Sequence, residues 1–85
     1  MDWFVYVLLN PNGITYTGTS KDVKARLNKH NAGKGAKFTR GRGPWHIVHT
    51  EGPMKHGDAL RRELIIKRDR DLKSNLKDLA LTNEP

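Results

Sequence analysis

The chain has 85 residues, no cysteine and a formal net charge of +7, from 16 Lys and Arg against 9 Asp and Glu. This length predicts one small domain over residues 1–82 with a frayed tail at 83–85, and it excludes a second domain. The absence of cysteine excludes disulfides and thiolate metal sites, and it fits a reducing, intracellular and cytoplasmic setting. No apolar run approaches the roughly 20 residues that span a bilayer, so we expect no membrane partner.

The first predicted element is a β-hairpin. Residues 2–10 and 14–19 are rich in residues that favour strands, and they flank the turn sequence Asn-Pro-Asn-Gly at 10–13. In this sequence Gly13 suits the left-handed position of a three-residue hairpin loop with a bulge. The loop length therefore predicts the register of the two strands.

That register places two tyrosines on one face of the hairpin. Counting outward from the loop, Leu8 lies opposite Tyr16, and Tyr6 lies opposite Gly18. Side chains alternate along a strand, so Tyr6 and Tyr16 share a face. Gly18 leaves open space beside Tyr6 and is expected to support the site in this way.

An amphipathic helix is predicted next. Ser20 or Thr19 is the expected N-cap, Val23 and Leu27 form the apolar stripe, and the sequence Asn-Ala-Gly at 31–33 ends the helix. A surface loop is predicted over residues 33–44, which contain four glycines and four basic residues. Residues 45–50 predict a third strand.

Two polar residues of this helix are expected to face the hairpin. Arg26 and His30 are four residues apart, so they lie on one side of the helix beside its apolar stripe.

The remainder of the chain predicts two more helices. In the first, over 58–67, Leu60 and Leu64 are the expected core residues, and Glu63 and Lys67 fall on a different face. A break at 69–71 precedes a third amphipathic helix. Its predicted apolar face consists of Leu72, Leu76, Leu79 and Ala80. The order β-β-α-β-α-α predicts an α+β fold, with a small three-stranded, mainly antiparallel sheet flanked by three helices.

Four segments in this order resemble the GIY-YIG nuclease domain. They are Phe-Val-Tyr at 4–6, Tyr-Thr-Gly at 16–18, Arg-Leu-Asn-Lys-His at 26–30 and Arg-Glu-Leu-Ile-Ile-Lys at 62–67. The resemblance covers residues 3–67, and it is greatest to the short stand-alone members. It implies a metal-dependent endonuclease that hydrolyses DNA phosphodiester bonds, with substrate structure as a candidate basis for selectivity.

The resemblance also implies roles for five residues. Tyr6 and Tyr16 would activate and orient the attacking water, and Arg26 would hold the scissile phosphate through its permanent charge. His30 would help to deprotonate a tyrosine or contact phosphate. Glu63 would hold Mg²⁺ or Mn²⁺, since one carboxylate with waters and substrate phosphate is an ordinary set of ligands for such an ion.

Each role has an alternative in ordinary structure. Glu63 could pair with Lys67 one helical turn away, and Arg26 could be a solvated helix residue. His30 could cap the C-terminal end of its helix. The two tyrosines could simply pack between the hairpin and the helix.

The chain departs from the family pattern at several positions. Only the tyrosine of the first tripeptide is present, as Tyr6, and Gly-Ile-Thr at 13–15 is not its equivalent. Thr19 stands where several relatives carry lysine, so a phosphate contact would pass to Lys21 or Lys37. Asn75 follows Glu63 at a spacing at which active relatives place a supporting asparagine, but a helix-surface asparagine is the alternative.

The basic loop is the predicted nucleic-acid-binding surface, and DNA is favoured over RNA. Phe38 would either stack on an unpaired base or pack in the core, and Trp45 is expected in the core. The cations of the predicted surface are Lys21, Lys34, Lys37, Arg40 and Arg42. Two rival functions remain: a non-catalytic nucleic-acid-binding module on the same scaffold, and a small protein whose positive face docks an acidic protein.

Overall fold

The computed structural model describes residues 1–82 of the chain. The strands are β1 (Trp3–Leu9), β2 (Thr15–Ser20) and β3 (His46–Met54), and the helices are α1 (Val23–Asn31), α2 (His56–Arg68) and α3 (Arg70–Thr82). The strands form one antiparallel sheet in the order β2-β1-β3. The predicted fold class and element order are confirmed, and the predicted tail at 83–85 lies outside the described residues. Within residues 1–82, no helix combines the length and apolar character needed to cross a bilayer.

The hairpin has the predicted register. Leu8 pairs with Tyr16, and Tyr6 pairs with Gly18. Its loop is closed by the buried side chain of Asn10, whose Oδ1 accepts hydrogen bonds from the backbone nitrogens of residues 12 and 14 at 3.1 and 2.8 Å. Gly13 has a φ of +80°, which a side chain would oppose. The loop chemistry thus fixes which residues face each other across β1 and β2.

Helix α1 begins differently from the prediction. Its N-cap is Asp22, whose Oδ1 accepts from the Ala25 nitrogen at 3.0 Å. The predicted cap Ser20 instead uses its hydroxyl to accept from the Asp22 nitrogen at 3.0 Å, in a local turn that precedes the helix. The predicted N-cap, Ser20 or Thr19, was therefore wrong by two or three residues. Ser and Asp are both residue types that cap helices, and the turn contains one of each, Ser20 and Asp22.

The alternation of β1 divides the core into two layers. Val5 and Val7 are fully buried in a cluster with Ala59 and Ile66 of α2 and Leu76 of α3. Tyr6 and Leu8, whose side chains point to the other face of β1, form a second cluster with Trp45, which precedes β3. Tyr16 of β2 and Val23 and Leu27 of α1 pack against this cluster. Burial of each large apolar side chain contributes about 1.5–3 kcal/mol. Tyr6 therefore lies in a packed layer and not on an open sheet.

Helix α2 packs on the sheet through a face that periodicity did not identify. Ala59 and Ile66 are fully buried, whereas the predicted core residues Leu60 and Leu64 are 47% and 51% exposed, so that prediction was wrong. Apolar side chains occur on both sides of α2, and the small Ala59 allows the helix to approach β1 closely. Glu63, four residues after Ala59 and three before Ile66, belongs to this sheet-facing side.

An ion pair fixes the rotation of α2 against β3. Two Arg62 nitrogens donate to the two carboxylate oxygens of Glu51, at 2.6 and 3.0 Å. These hydrogen bonds lower the pKa of Glu51 to about 2, with a further contribution from His49, whose Nε2 lies 2.7 Å from Glu51 Oε2. Strand β3 runs beyond the predicted end at residue 50 because it is an edge strand, where Pro53 is tolerated.

The predicted break between α2 and α3 is present. Asp69 leaves the helical conformation, and its Oδ1 accepts from the Leu72 nitrogen at 2.9 Å. Leu76 is buried and Leu72 packs against the core, as predicted. Leu79, also on the predicted apolar face, is 58% exposed, so the core covers only part of that face. A domain of this size does not cover the whole apolar stripe of a 13-residue helix.

Candidate active site

The two tyrosines lie together on the α1 side of the sheet. Their ring centroids are 6.4 Å apart. Tyr6, on the central strand, is 1% exposed, whereas Tyr16, on the edge strand β2, is half-buried. A Cβ atom at Gly18 would lie 2.6 Å from the Tyr6 hydroxyl oxygen, so only glycine leaves room for this phenol.

His30 connects the tyrosines to the basic loop. Its Nε2 lies 3.0 Å from the Tyr6 hydroxyl, and its Nδ1 lies 2.7 Å from the hydroxyl of Thr39. The Tyr16 ring centroid is 4.9 Å from the imidazole centroid. The imidazole is 2% exposed and does not cap α1; the end of the helix is closed by backbone hydrogen bonds from residues 32–34.

The electrostatics of this cluster keep both the phenol and the imidazole neutral in the resting protein. Burial raises the pKa of Tyr6, and hydrogen bonding and charge from Arg26 lower it, whereas Tyr16 and Glu63 raise it. Burial lowers the pKa of His30 below its usual 6.5, and the Arg26 charge lowers it further. A neutral His30 shares one hydrogen bond with Tyr6, and Arg26 is the cation whose charge would favour a negative phenol oxygen.

Glu63 is the acidic residue whose charge reaches this cluster. Its side chain is 19% exposed, on the sheet-facing side of α2, and it contributes to the raised pKa of Tyr6. Lys67 Nζ lies 3.1 Å from Glu63 Oε2, so the ion pair considered from the sequence is present. Among residues 1–82 no three His, Asp or Glu side chains cluster as a metal site. An ion here would have Glu63 as its protein ligand, and substrate and water as the others.

A groove of about 300 Å³ opens beside Tyr16, where β2 meets the ends of α2 and α3. Phe38 lines it and stacks on Tyr16, with centroids 6.2 Å apart. Lys67 and Lys73 line the same groove from the helices. A second groove, of about 460 Å³, lies near the hairpin loop and borders none of the tyrosine, histidine or carboxylate groups described above. Chemistry, and not volume, therefore identifies the candidate site.

The basic loop is ordered by buried polar contacts. Asn10 donates to the Arg42 carbonyl at 2.9 Å, and Asn31 exchanges two hydrogen bonds with the Trp45 backbone. The Arg42 guanidinium lies 4.9 Å from the Phe38 ring centroid. The four predicted cations of this loop are exposed; they are Lys34, Lys37, Arg40 and Arg42.

Two other predicted site residues make no hydrogen bond or ion pair with the cluster within residues 1–82. Lys21 is exposed, 3.7 Å from Asp2 and 5.5 Å from the Trp3 ring centroid, at the start of β1. Asn75 is exposed on α3 and makes no side-chain hydrogen bond in the described part of the chain. Sequence reasoning missed Thr39 and Lys73, because neither has a spacing signal that links it to the tyrosines.

Comparison with known proteins identifies the family of the chain. A sequence model of the GIY-YIG catalytic domain matches residues 2–75. The chain belongs to the GIY-YIG family, which confirms the resemblance. This membership implies a nuclease-type domain that acts on nucleic acid, of a kind that generally depends on a divalent metal ion.

Similar proteins within this family carry the name UPF0213. A UPF0213 protein of Staphylococcus aureus strain Mu3 is 48% identical over 64 residues, which are 75% of this chain and 78% of that protein. The UPF0213 protein SAV0488 of strain Mu50 has the same identity and coverage. The solution NMR structure of the UPF0213 protein BH0048 from Bacillus halodurans is 42% identical, with a TM-score of 0.53, over 93% of this chain and 85% of that one.

Proposed function

We propose that this protein is a metal-dependent endonuclease that hydrolyses DNA phosphodiester bonds. The observation that carries the proposal is the buried hydrogen bond from the Tyr6 phenol to neutral His30, beside the Arg26 guanidinium. A packing tyrosine needs a partner for its hydroxyl, but it does not need a cation that favours its phenolate. This combination is suited to a base step in hydrolysis.

The difference in exposure between the tyrosines suggests how they divide the work. Tyr6, which is 1% exposed, donates its proton to His30 Nε2 and becomes the proton acceptor. Tyr16, half-buried at the groove, orients the attacking water beside the phosphate. The water loses its proton to the Tyr6–His30 pair, directly or through one further water, as its oxygen bonds to phosphorus. The leaving oxygen departs with the electrons of the broken P–O bond and takes a proton from solvent.

Arg26 and Glu63 have complementary electrostatic roles. Arg26 is placed to stabilise both the Tyr6 phenolate and the charged phosphoryl oxygens of the transition state. Glu63 would hold Mg²⁺ or Mn²⁺, and this ion would supply Lewis-acid polarisation of the phosphate. The donor chemistry fits, since a carboxylate is a hard oxygen ligand, and Lys67 would have to release one of its oxygens.

The basic loop and the groove are the proposed contacts to the DNA backbone and bases. The four loop cations would bind phosphates, with an affinity that falls as salt rises. Phe38 is 46% exposed and can offer its ring to an unpaired base, whereas Trp45 is 2% exposed and cannot. Lys21 is a weaker candidate, because Asp2 already neutralises it. Asn75, exposed on α3, would be a supporting residue of the metal site.

A cleavage assay tests the proposal. Single-stranded, nicked and branched DNA are incubated with wild-type protein in Mg²⁺, in Mn²⁺ and in excess EDTA. We expect cleavage only with metal, and a loss of about 10²–10³-fold in rate for Arg26→Ala. Arg61→Ala is the matched control, since Arg61 is a solvent-exposed α2 arginine paired with Asp58. Equal cleavage by wild type and Arg26→Ala would reject the catalytic role.

The Glu63–Lys67 ion pair and the missing lysine at position 19 favour a second candidate, a non-catalytic nucleic-acid-binding module. On this reading Glu63 is structural, and only the basic loop contacts nucleic acid. Salt-sensitive DNA binding without metal-dependent cleavage would select it. Arg40→Gln would then weaken binding, whereas Glu63→Gln would leave binding unchanged.

A further inference from the structure

Thr39 is a buried polar residue of the basic loop that lies directly behind His30. It ends the short 3-10 turn Lys37–Thr39 and is 1% exposed. Its hydroxyl lies 2.7 Å from His30 Nδ1 and 2.9 Å from the Ala36 carbonyl oxygen. Its side chain is therefore shielded from solvent and from substrate.

The hydrogens available on Tyr6, His30 and Thr39 fix which group donates in each of these hydrogen bonds. A carbonyl oxygen can only accept, so the single hydroxyl hydrogen of Thr39 is donated to Ala36. Toward His30 the Thr39 oxygen must then accept, and the hydrogen of a neutral imidazole lies on Nδ1. His30 Nε2 is left with a free lone pair, and the Tyr6 hydroxyl is the donor in the remaining contact.

We infer that Thr39 is a positioning residue that holds His30 in the Nδ1-H tautomer, so that Nε2 is free to take the proton of Tyr6. The catalytic consequence of this inference rests on the proposed function, but the tautomer itself does not. A base that acts on a phenol must present a lone pair and not a hydrogen. Thr39 therefore orients His30 in the way that a carbonyl or carboxylate oxygen orients other catalytic imidazoles.

The surrounding loop holds Thr39 in place. The Trp45 indole nitrogen donates to the Thr39 carbonyl at 3.1 Å, and the Trp45 backbone is bound by Asn31 of α1. On the other side, a Cβ at Gly35 would lie 2.3 Å from His30 Nδ1, so the loop backbone closes over the ring only because this residue is glycine. The basic loop thus has a buried face that orients His30 and an exposed face that carries the cations.

Loss of the Thr39 hydroxyl changes the preferred tautomer. Thr39→Val has nearly the same shape but cannot accept from Nδ1. The tautomer with hydrogen on Nε2 then gains a partner, because it can donate to the Tyr6 oxygen. Tyr6 becomes an acceptor in that arrangement, and its route for proton loss is closed. Thr39→Ser keeps the hydroxyl and should keep the wild-type tautomer.

The tautomer can be measured by ¹⁵N NMR of the imidazole nitrogens, in metal-free protein without DNA and above the pKa of His30. We expect a protonated Nδ1 and a bare Nε2 in wild type and Thr39→Ser, and hydrogen on Nε2 in Thr39→Val. Hydrogen on Nε2 in wild type would overturn the inference. So would a folded Thr39→Val with an unchanged tautomer. If Thr39→Val does not fold, the wild-type and Thr39→Ser spectra still decide.

Cleavage and binding assays test the consequence separately. Thr39→Val should lower the single-turnover cleavage rate on the order of 10²-fold, with DNA affinity unchanged, and Thr39→Ser should restore the rate. A wild-type protein that shows the expected tautomer but cleaves no DNA would reject the proposed function and not the assignment of Thr39. A changed tautomer with a wild-type cleavage rate would reject the positioning role.

Discussion

Replacement of Gly18 by alanine is the most direct test of how the tyrosine site is built. The added Cβ would lie 2.6 Å from the Tyr6 hydroxyl oxygen, 2.8 Å from Tyr6 Cζ and 3.1 Å from a Tyr16 ring carbon. Ordinary carbon contacts are about 3.5–4.0 Å. Tyr6 is fully buried and hydrogen-bonded to His30 at 3.0 Å, so its ring cannot shift without displacing packed neighbours.

The expected cost follows from these contacts. Overfilling a packed core by one methyl group costs about 1–3 kcal/mol. Removal of a glycine from the unfolded chain returns about 0.4–1 kcal/mol. The net effect of Gly18→Ala is then a loss of about 1–2 kcal/mol in the free energy of unfolding, or roughly 4–16 °C in Tm for a domain of this size. The cleavage rate should fall as well, because the Tyr6–His30 hydrogen bond is displaced.

Denaturant and thermal unfolding measure the stability change, with Gly57→Ala as control. At Gly57, in the first turn of α2, the nearest side-chain atoms to an added Cβ would be the Arg61 guanidinium nitrogens, at 3.9 Å. This control should be neutral or more stable by up to about 1 kcal/mol. If Gly18→Ala unfolds with wild-type free energy and keeps the Tyr6–His30 contact, the close packing of this site is refuted.

Two further predictions concern the scaffold. The pKa of Glu51 is about 2 in the folded protein against its ordinary 4.5, so its stabilisation is present above pH 4.5 and is lost as the pH falls toward 2. Allowing for the 39% exposure of Arg62, we expect Glu51→Gln to cost about 2 kcal/mol at pH 7 and almost nothing near pH 2; a pH-independent cost would contradict the ion pair. We expect Ile66→Ala to lower the free energy of unfolding by about 2–5 kcal/mol and Leu64→Ala by less than about 1 kcal/mol, measured by urea unfolding. Equal losses would support the core face predicted from the sequence.

Local chemistry made the hairpin and α1 predictable from the sequence. The turn residues set the register that pairs Tyr6 with Gly18, and the four-residue spacing places Arg26 and His30 on one side of α1. Such features depend on neighbours in the sequence, so they can be derived without the fold. The Tyr6–His30 contact then follows once α1 packs on the hairpin.

Features that depend on tertiary contacts were not predictable. The side of α2 that meets the sheet is selected by Ala59 and by the Arg62–Glu51 ion pair, which joins residues 11 apart in sequence. Hydrophobic periodicity favoured Leu60 and Leu64 because it counts apolar residues and not the partners available to them. Thr39 is likewise assigned by its distance to His30, for which the sequence of the loop carries no signal.

The corrected orientation of α2 changes the meaning of Glu63. Two charged residues, Arg62 and Glu63, lie toward the sheet, where desolvation makes charge costly. Arg62 is accounted for by its paired contacts with Glu51, which tie α2 to β3. Glu63 pairs with Lys67, whose side chain is 50% exposed, and such a contact is worth only a few tenths of a kcal/mol. Folding stability therefore explains Arg62 but not Glu63, and a carboxylate whose charge reaches Tyr6 without such a reason supports the proposed binding of a cation.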